Sequence, residues 1–315
     1  MSCWRLFLLA CCVSLLGACA SPQVASLQQR APANLAMQVS IGDVPFYPQE
    51  EYQCGPAALA MAASAAGVPL TPEALVEHVY LPARQGSLQQ EMLATGRRHG
   101  LLAYQIQPDM EGLLREIAAG NPVIVLQNLG LQSIPKWHYA VAIGYDRPRN
   151  KMILHSGRIE RMEMSLFTFE RTWARSGYWG MLALQPDQLP ATAQPDRFVA
   201  AAAALERTHA QAAQTAYRTA LQAWPSHPLA WLGVGNTAYV EGELDNALEA
   251  YQILVALHPD FADGWNNLAQ VLFEKGRMEE ASSAIGRAIQ LGGARVQRYQ
   301  DLQREIQVRA SPARS

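Results

Sequence analysis

The sequence predicts an α+β domain followed by an all-α solenoid of repeats, and three observations carry that prediction. Between residues 39 and 186 helix signals come first and strand-like runs follow, the layout of a helix laid on an antiparallel sheet. Residues 187–196 are Pro-rich without an apolar period, as a linker is. Beyond 197, Trp231 and Trp265 stand 34 residues apart in helical sequence, a spacing that marks stacked repeats. At 315 residues the chain has room for about two domains.

The first eighteen residues read as an export signal rather than fold: Arg5, an apolar stretch from Leu6 to Leu16, then Leu16-Gly17-Ala18-Cys19. That ending resembles the bacterial lipoprotein signal, and the resemblance implies cleavage before Cys19 and lipid on it. Residue 20 is Ala rather than Asp, which in such lipoproteins implies the outer membrane, facing the periplasm. Residues 19–38, rich in Ser, Pro, Gln and Ala, are expected to be a tether. The net charge of −2 argues against a nucleic-acid binder.

The elements follow in order. Pro56 to Ala66 is an Ala/Leu/Met-rich helix stopped by Gly67. Thr71-Pro72 opens a second helix, with Thr as cap and Pro in the first turn. "SLQQEMLATGRRHG" begins with a Ser-x-x-Gln capping box. "LLAYQIQ" is strand-like and "DMEGLLREIAAG" is a short capped helix. "PVIVLQNL", "HYAVAIGYD", "KMILHS" and "YWGMLALQP" are β-branched and aromatic runs that read as strands. "DRPRN" is a turn, so the second and third of these form a hairpin.

From 197 to 307 the 34-residue spacing recurs at Ala213/Ala247/Ala281, Tyr217/Tyr251/Ile285, Ala220/Leu254/Ala288 and Pro225/Pro259. Large residues at packing positions, small ones where helices touch and Pro at the repeat end resemble the tetratricopeptide repeat. Three repeats fit, at about 194–227, 228–261 and 262–295, before a capping helix. Such repeats stack into a groove that holds a peptide or a protein partner.

Chemistry centres on one thiol. Of five cysteines, Cys3, Cys11 and Cys12 leave with the signal and Cys19 takes lipid, so Cys54 alone remains. No intramolecular disulfide, multi-cysteine metal site or cofactor is expected. Cys54 precedes Gly55-Pro56 at the start of a helix. Unpaired N–H groups and the helix dipole there stabilise a thiolate, and a nearby His⁺ lowers the thiol pKa further. A cysteine nucleophile needs a base and an oxyanion donor. His138 opens the strand "HYAVAIGYD", at the rim of the sheet, and Gln49 lies five residues before the thiol. His78, His99, His209, His227 and His258 lie on helices or in the repeats and are weaker candidates.

"VPFYPQEEYQCGPAALAMA" followed by "HYAVAIGYD" resembles the papain-fold peptidases related to the bacteriocin-processing, double-glycine-leader peptidases. The resemblance covers about residues 43–184. It implies a papain-like α+β fold with Cys54 as nucleophile, His138 as base and Gln49 as oxyanion donor. Two departures stand out. The family spaces its Gln six residues before the Cys, and here it is five. The family also carries Asp after the hairpin's second strand, where this chain reads "ILHSGR". If 145 pairs with 151, residue 156 shares the face of His138, so Ser156 replaces the Asp; a one-residue slip brings His155 there instead. A Ser orients an imidazole but does not offset its positive charge. The expected function is an envelope cysteine peptidase whose repeats recruit a substrate or partner. A thiol amidase or acyl transferase, and a scaffold that has lost turnover with its Asp, are the alternatives.

Overall fold

A computed structural model of the chain describes residues 21–30, 32–49 and 52–310. It divides into two units, residues 1–185 with 190–193, and residues 186–189 with 194–315. Cys19, the expected lipid site, lies outside the described residues.

The expected tether is ordered where it is described. Helix α1 (Pro22–Gln29) begins at Ser21. Its free N–H groups at Gln23 and Val24 donate to the Glu170 carboxylate at 3.0 and 2.7 Å. The Ser21 hydroxyl donates to the Phe167 carbonyl at 3.0 Å, and the Gln23 side chain accepts from the Met110 N–H at 2.6 Å. A buried carboxylate at a helix start satisfies orphan donors and opposes the dipole. Strand β1 (Gln38–Ser40) follows.

Helix α2 (Cys54–Ala65) starts one half-turn before the expected Pro56, which places Cys54 in its first turn. Gly55 through Ala63 are all buried, so small side chains let this helix lie inside the core with no solvent face. Helix α3 (Pro72–Val79) is capped by Thr71, whose hydroxyl accepts from the Ala74 N–H. Strands β2 (Tyr80–Leu81) and β3 (Gly86–Ser87) form a short hairpin. Ser87 is therefore not the cap of the next helix, α4 (Gln89–Arg98), as the Ser-x-x-Gln pattern suggests. Pairing with Tyr80 draws Ser87 into β3, and Leu88 takes the cap position without a side-chain bond.

Strand β4 (Leu102–Gln105), helix α5 (Met110–Ala118), strands β5 (Val123–Asn128), β6 (Trp137–Asp146), β7 (Lys151–Ser156) and β8 (Ile159–Ser165), helix α6 (Leu166–Ala174) and strand β9 (Gly180–Leu184) complete the unit. Among the described residues the strands make a seven-stranded antiparallel sheet in the order β4-β9-β5-β6-β7-β8, with β1 on the far end of β6. Strand β8 and helix α6 are not among the elements expected from the sequence. The strand "IERMEMS" alternates charged and apolar residues and is mostly exposed, so its pairing to β7 and not its hydrophobicity places it.

The β6–β7 register differs from the expected one at the turn. Tyr145 pairs with Met152 rather than with residue 151. The ladder shifts between Ala142 and Gly144; beyond it Ala142 pairs with Leu154 and Val141 with His155. A Cβ on Gly144 would lie 2.7 Å from the Val39 carbonyl, so the bulge sits where β1 crowds β6 and only glycine fits. The shift returns the strand end to the register extrapolated from a 145–151 pair, with Ser156 on the face of His138. The core packs α2 against Ile124, Leu126, Tyr139, Val141 and Ile143 on one sheet face.

The second unit begins with helix α7 (Pro195–Ala203), so the last two residues of the expected 187–196 linker are helical. Residues 191 and 192 of that linker are held by the buried Glu116 carboxylate, which accepts both N–H groups and the Thr192 hydroxyl. Helices α8 (Ala210–Ala223), α9 (Pro228–Val240), α10 (Leu244–Leu257), α11 (Ala262–Glu274), α12 (Met278–Leu291) and α13 (Val296–Ala310) follow. The 34-residue spacing is a repeated bond: the Trp231 indole donates to the Pro225 carbonyl at 2.7 Å and the Trp265 indole to Pro259 at 2.9 Å. Gly233 and Gly235 admit the Tyr217 and Tyr251 rings, which a Cβ at either position would strike.

Candidate active site

Cys54 is half-buried at the start of α2. Two residues earlier Tyr52 holds a left-handed φ of 63°, a costly conformation for a residue with a side chain. Gly55 packs against β3 so tightly that a Cβ would lie 2.6 Å from the Ser87 Cβ and closer still to its hydroxyl. No larger residue follows the thiol without moving that hairpin.

The dipeptide His138–Tyr139 gathers the remaining residues. The Tyr139 backbone N–H faces the Cys54 sulfur, as do those of Gly55 and Cys54 itself. The Tyr139 carbonyl accepts from the Gln49 side-chain amide at 3.2 Å. The Gln49 side-chain oxygen accepts from the Gly157 N–H at 3.0 Å, and the main chains of these two residues bond again at 3.0 Å. These two bonds decide which way the Gln49 amide points, since one partner is an acceptor and the other a donor. One of its two side-chain hydrogens is left for another acceptor. The His138 Nε2 stands 2.9 Å from the Ser156 hydroxyl. Among the described residues, the ring's hydrogen bond is to Ser156 and not to the thiol.

His155, the alternative third member, is occupied elsewhere. Its Nε2 donates to the Val44 carbonyl at 3.2 Å and its Nδ1 accepts from the Arg161 N–H at 3.2 Å. Acceptance at Nδ1 requires the neutral ring, and burial lowers its pKa in the same direction. It pairs with Val141 on the sheet face opposite to that of His138 and Ser156. The slip that would have brought it to His138 does not occur.

Electrostatics correct the expectation of a preformed thiolate. Burial pushes the Cys54 thiol up, against the opposing pull of the three backbone N–H groups. Burial also pushes His138 down to about 4. Exclusion of water penalises each charged form, and no carboxylate stands at Ser156 to offset it. The resting pair is thiol and neutral imidazole. The helix dipole is legible from the position of Cys54, but the burial is not, because nothing local to Cys54 reveals that Gly55 through Ala63 lie inside the core. The roles of the Tyr139 backbone and of Gly157 were likewise not legible, since main-chain groups leave no residue signature.

An α+β unit with a cysteine at the head of a buried helix and a histidine near the start of a central strand resembles the expected papain-like domain, and a repeat array follows it. Residues 41–181 match the Peptidase_C39 like family, and residues 198–254 and 235–295 match the tetratricopeptide repeat. Similar solved structures include one described as a C39-like peptidase from Bacillus anthracis, 17% identical, covering 46% of this chain and 96% of that one at TM-score 0.39. The Sgt2 tetratricopeptide domain from Aspergillus fumigatus is 20% identical over 38% of this chain and 86% of its own, at TM-score 0.34. Among curated proteins, the Protein CTR9 homolog of Arabidopsis thaliana is 36% identical over 64 residues. That stretch is 20% of this chain and spans 6% of the relative's length. No described helix is long and apolar enough to cross a membrane, and the described residues hold no cluster of three His, Cys, Asp or Glu able to bind a metal ion.

Proposed function

We propose that the first unit hydrolyses peptide bonds through Cys54. The observation behind this reading is the convergence on one dipeptide: the Tyr139 N–H meets the sulfur, its carbonyl holds Gln49, and the His138 ring meets Ser156. His138 takes the thiol proton as sulfur attacks the substrate carbonyl, so the ion pair forms during the reaction rather than before it. Apo hydrogen bonds of this kind tighten when substrate enters. The free Gln49 N–H and the backbone N–H groups at the head of α2 receive the developing oxyanion. The imidazolium then gives its proton to the leaving amine, and water hydrolyses the acyl-enzyme. Ser156 orients the ring. Lipid on Cys19 anchors the protein to the bacterial envelope, at the outer membrane facing the periplasm, and the repeats hold a protein substrate or partner.

Hydrolysis of a mixed peptide library by the purified chain, lost in Cys54→Ala and His138→Ala, is the expected result. No cleavage, together with alkylation of Cys54 at the same rate with and without His138, would sink the reading. One observation favours a second reading, a binding module without turnover: burial drives both groups to their neutral forms and Ser156 supplies no charge.

A further inference from the structure

We propose that Trp137 and the loop of residues 129–136 bind an apolar residue of the substrate on the leaving-group side of the scissile bond. This rests on the hydrolase reading and names the substrate class it selects. Leu129, Leu131, Ile134 and Trp137 are 47%, 64%, 69% and 53% exposed. Scattered apolar residues on a surface are ordinary; several within one loop mark a contact site.

The loop is built to hold these side chains out. Buried Asn128 accepts from the Gly130 and Lys136 N–H groups at 2.9 Å each, and its amide donates to the Leu131 carbonyl at 3.3 Å. The Arg175 guanidinium donates to the Asn128 and Gly130 carbonyls at 3.2 and 2.6 Å. The Leu129 N–H donates to the Lys136 carbonyl at 2.8 Å. Every one of these bonds fixes backbone and none covers an apolar side chain. A loop pinned this way loses little further freedom when it binds.

Its place defines the occupant. Side chains alternate along β6, so Trp137 and Tyr139 share the face on which α2 packs. Tyr139 is buried against α2, and Trp137, one step further along, is in solvent. The apolar surface therefore continues outward from Tyr139, whose backbone N–H faces the Cys54 sulfur. His138, between them, is the acid that protonates the departing amine and must lie on the leaving-group side. The loop next to it meets the residues carried by that amine. A Leu- or Phe-sized side chain there buries its apolar area against this surface, which an acidic one does not do.

The test uses peptide pairs that differ only in Leu against Asp after the scissile bond, with wild type, Leu131→Asp and Ile134→Asp. Wild type is expected to prefer Leu by about 10-fold or more in kcat/KM. Both variants should lose the preference while the alkylation rate of Cys54 stays unchanged. An unchanged preference in the variants overturns the inference. So does association of wild type, but not the variants, with anionic phospholipid vesicles when the preference is unchanged, which would make the loop a membrane contact. If wild type cleaves no peptide, the hydrolase reading fails separately. Fluorescence anisotropy of the same peptides on Cys54→Ala then decides the loop: Leu-selective binding lost in the loop variants sustains it, and equal binding of both peptides overturns it.

Discussion

Ser156→Asp places the missing carboxylate beside His138 and tests the electrostatics of the site. Burial holds that ring at about 4, against an ordinary value of 6.5. The gap corresponds to about 3 kcal/mol of preference for the neutral ring, at about 1.4 kcal/mol per unit. The Ser156 hydroxyl is 2.9 Å from Nε2, so a carboxylate there meets the imidazolium at ion-pair distance. Such a neighbour moves a pKa by about 1–3 units, which takes His138 to about 5–7. Each unit raises the population of the thiolate–imidazolium pair by about 10-fold, so iodoacetamide should label Cys54 faster near neutral pH. Ser156→Ala removes the orienting bond without adding charge. It should cost about 0.5–1.5 kcal/mol, or about 2- to 10-fold in kcat/KM. The assay is an NMR titration of the His138 ring in the three proteins, paired with the pH profile of alkylation. If the ring titrates at the same pH in wild type and Ser156→Asp, and labelling is unchanged, Ser156 does not govern His138 and the reasoning fails.

Three further outcomes are expected. With Cys54 raised by burial, alkylation of the wild-type thiol should be slow at pH 7 and still climbing beyond pH 9; a plateau by pH 7 would contradict the burial argument. The folded-state pKa of His138 lies below its unfolded value, so the ring's contribution to stability is full above about pH 6.5 and is lost as pH falls toward 4, up to about 3 kcal/mol. Urea unfolding at pH 7 and pH 4 should show a larger loss in wild type than in His138→Gln, and equal losses would refute it. Gly55→Ala drives a Cβ to 2.6 Å from the Ser87 Cβ, which should cost about 1–3 kcal/mol. Ser87→Gly in the same chain should recover most of it in urea melts, whereas full stability of the single variant would mean that the hairpin yields.

Some of the architecture is written locally. The 34-residue spacing of Trp and Pro appears as an indole-to-carbonyl bond repeated at the same interval. The Ala/Leu/Met-rich run from Pro56 to Ala66, stopped by Gly67, appears as helix α2. Gln49, Cys54, His138 and Ser156 were nameable from residue type and motif, and the fold gathers them around Tyr139. Other features have no local signature. Helix α1 looks like tether because what orders it, Glu170, lies 146 residues away. Ser87 looks like a cap until Tyr80 pairs with it. The β6–β7 register looks uniform until β1 presses on Gly144.

By itself, then, the order of residues determined the two-part layout and the repeat period. Those depend on propensity, capping and periodicity, which act over a few neighbours. Tertiary structure decided that the N-terminal segment is docked, that His155 is diverted to Val44 and Arg161, and that the thiol and imidazole rest uncharged. Each of these turns on a partner far off in the chain or on how completely water is excluded. Neither quantity exists until the sheet and its buried helix have closed on one another.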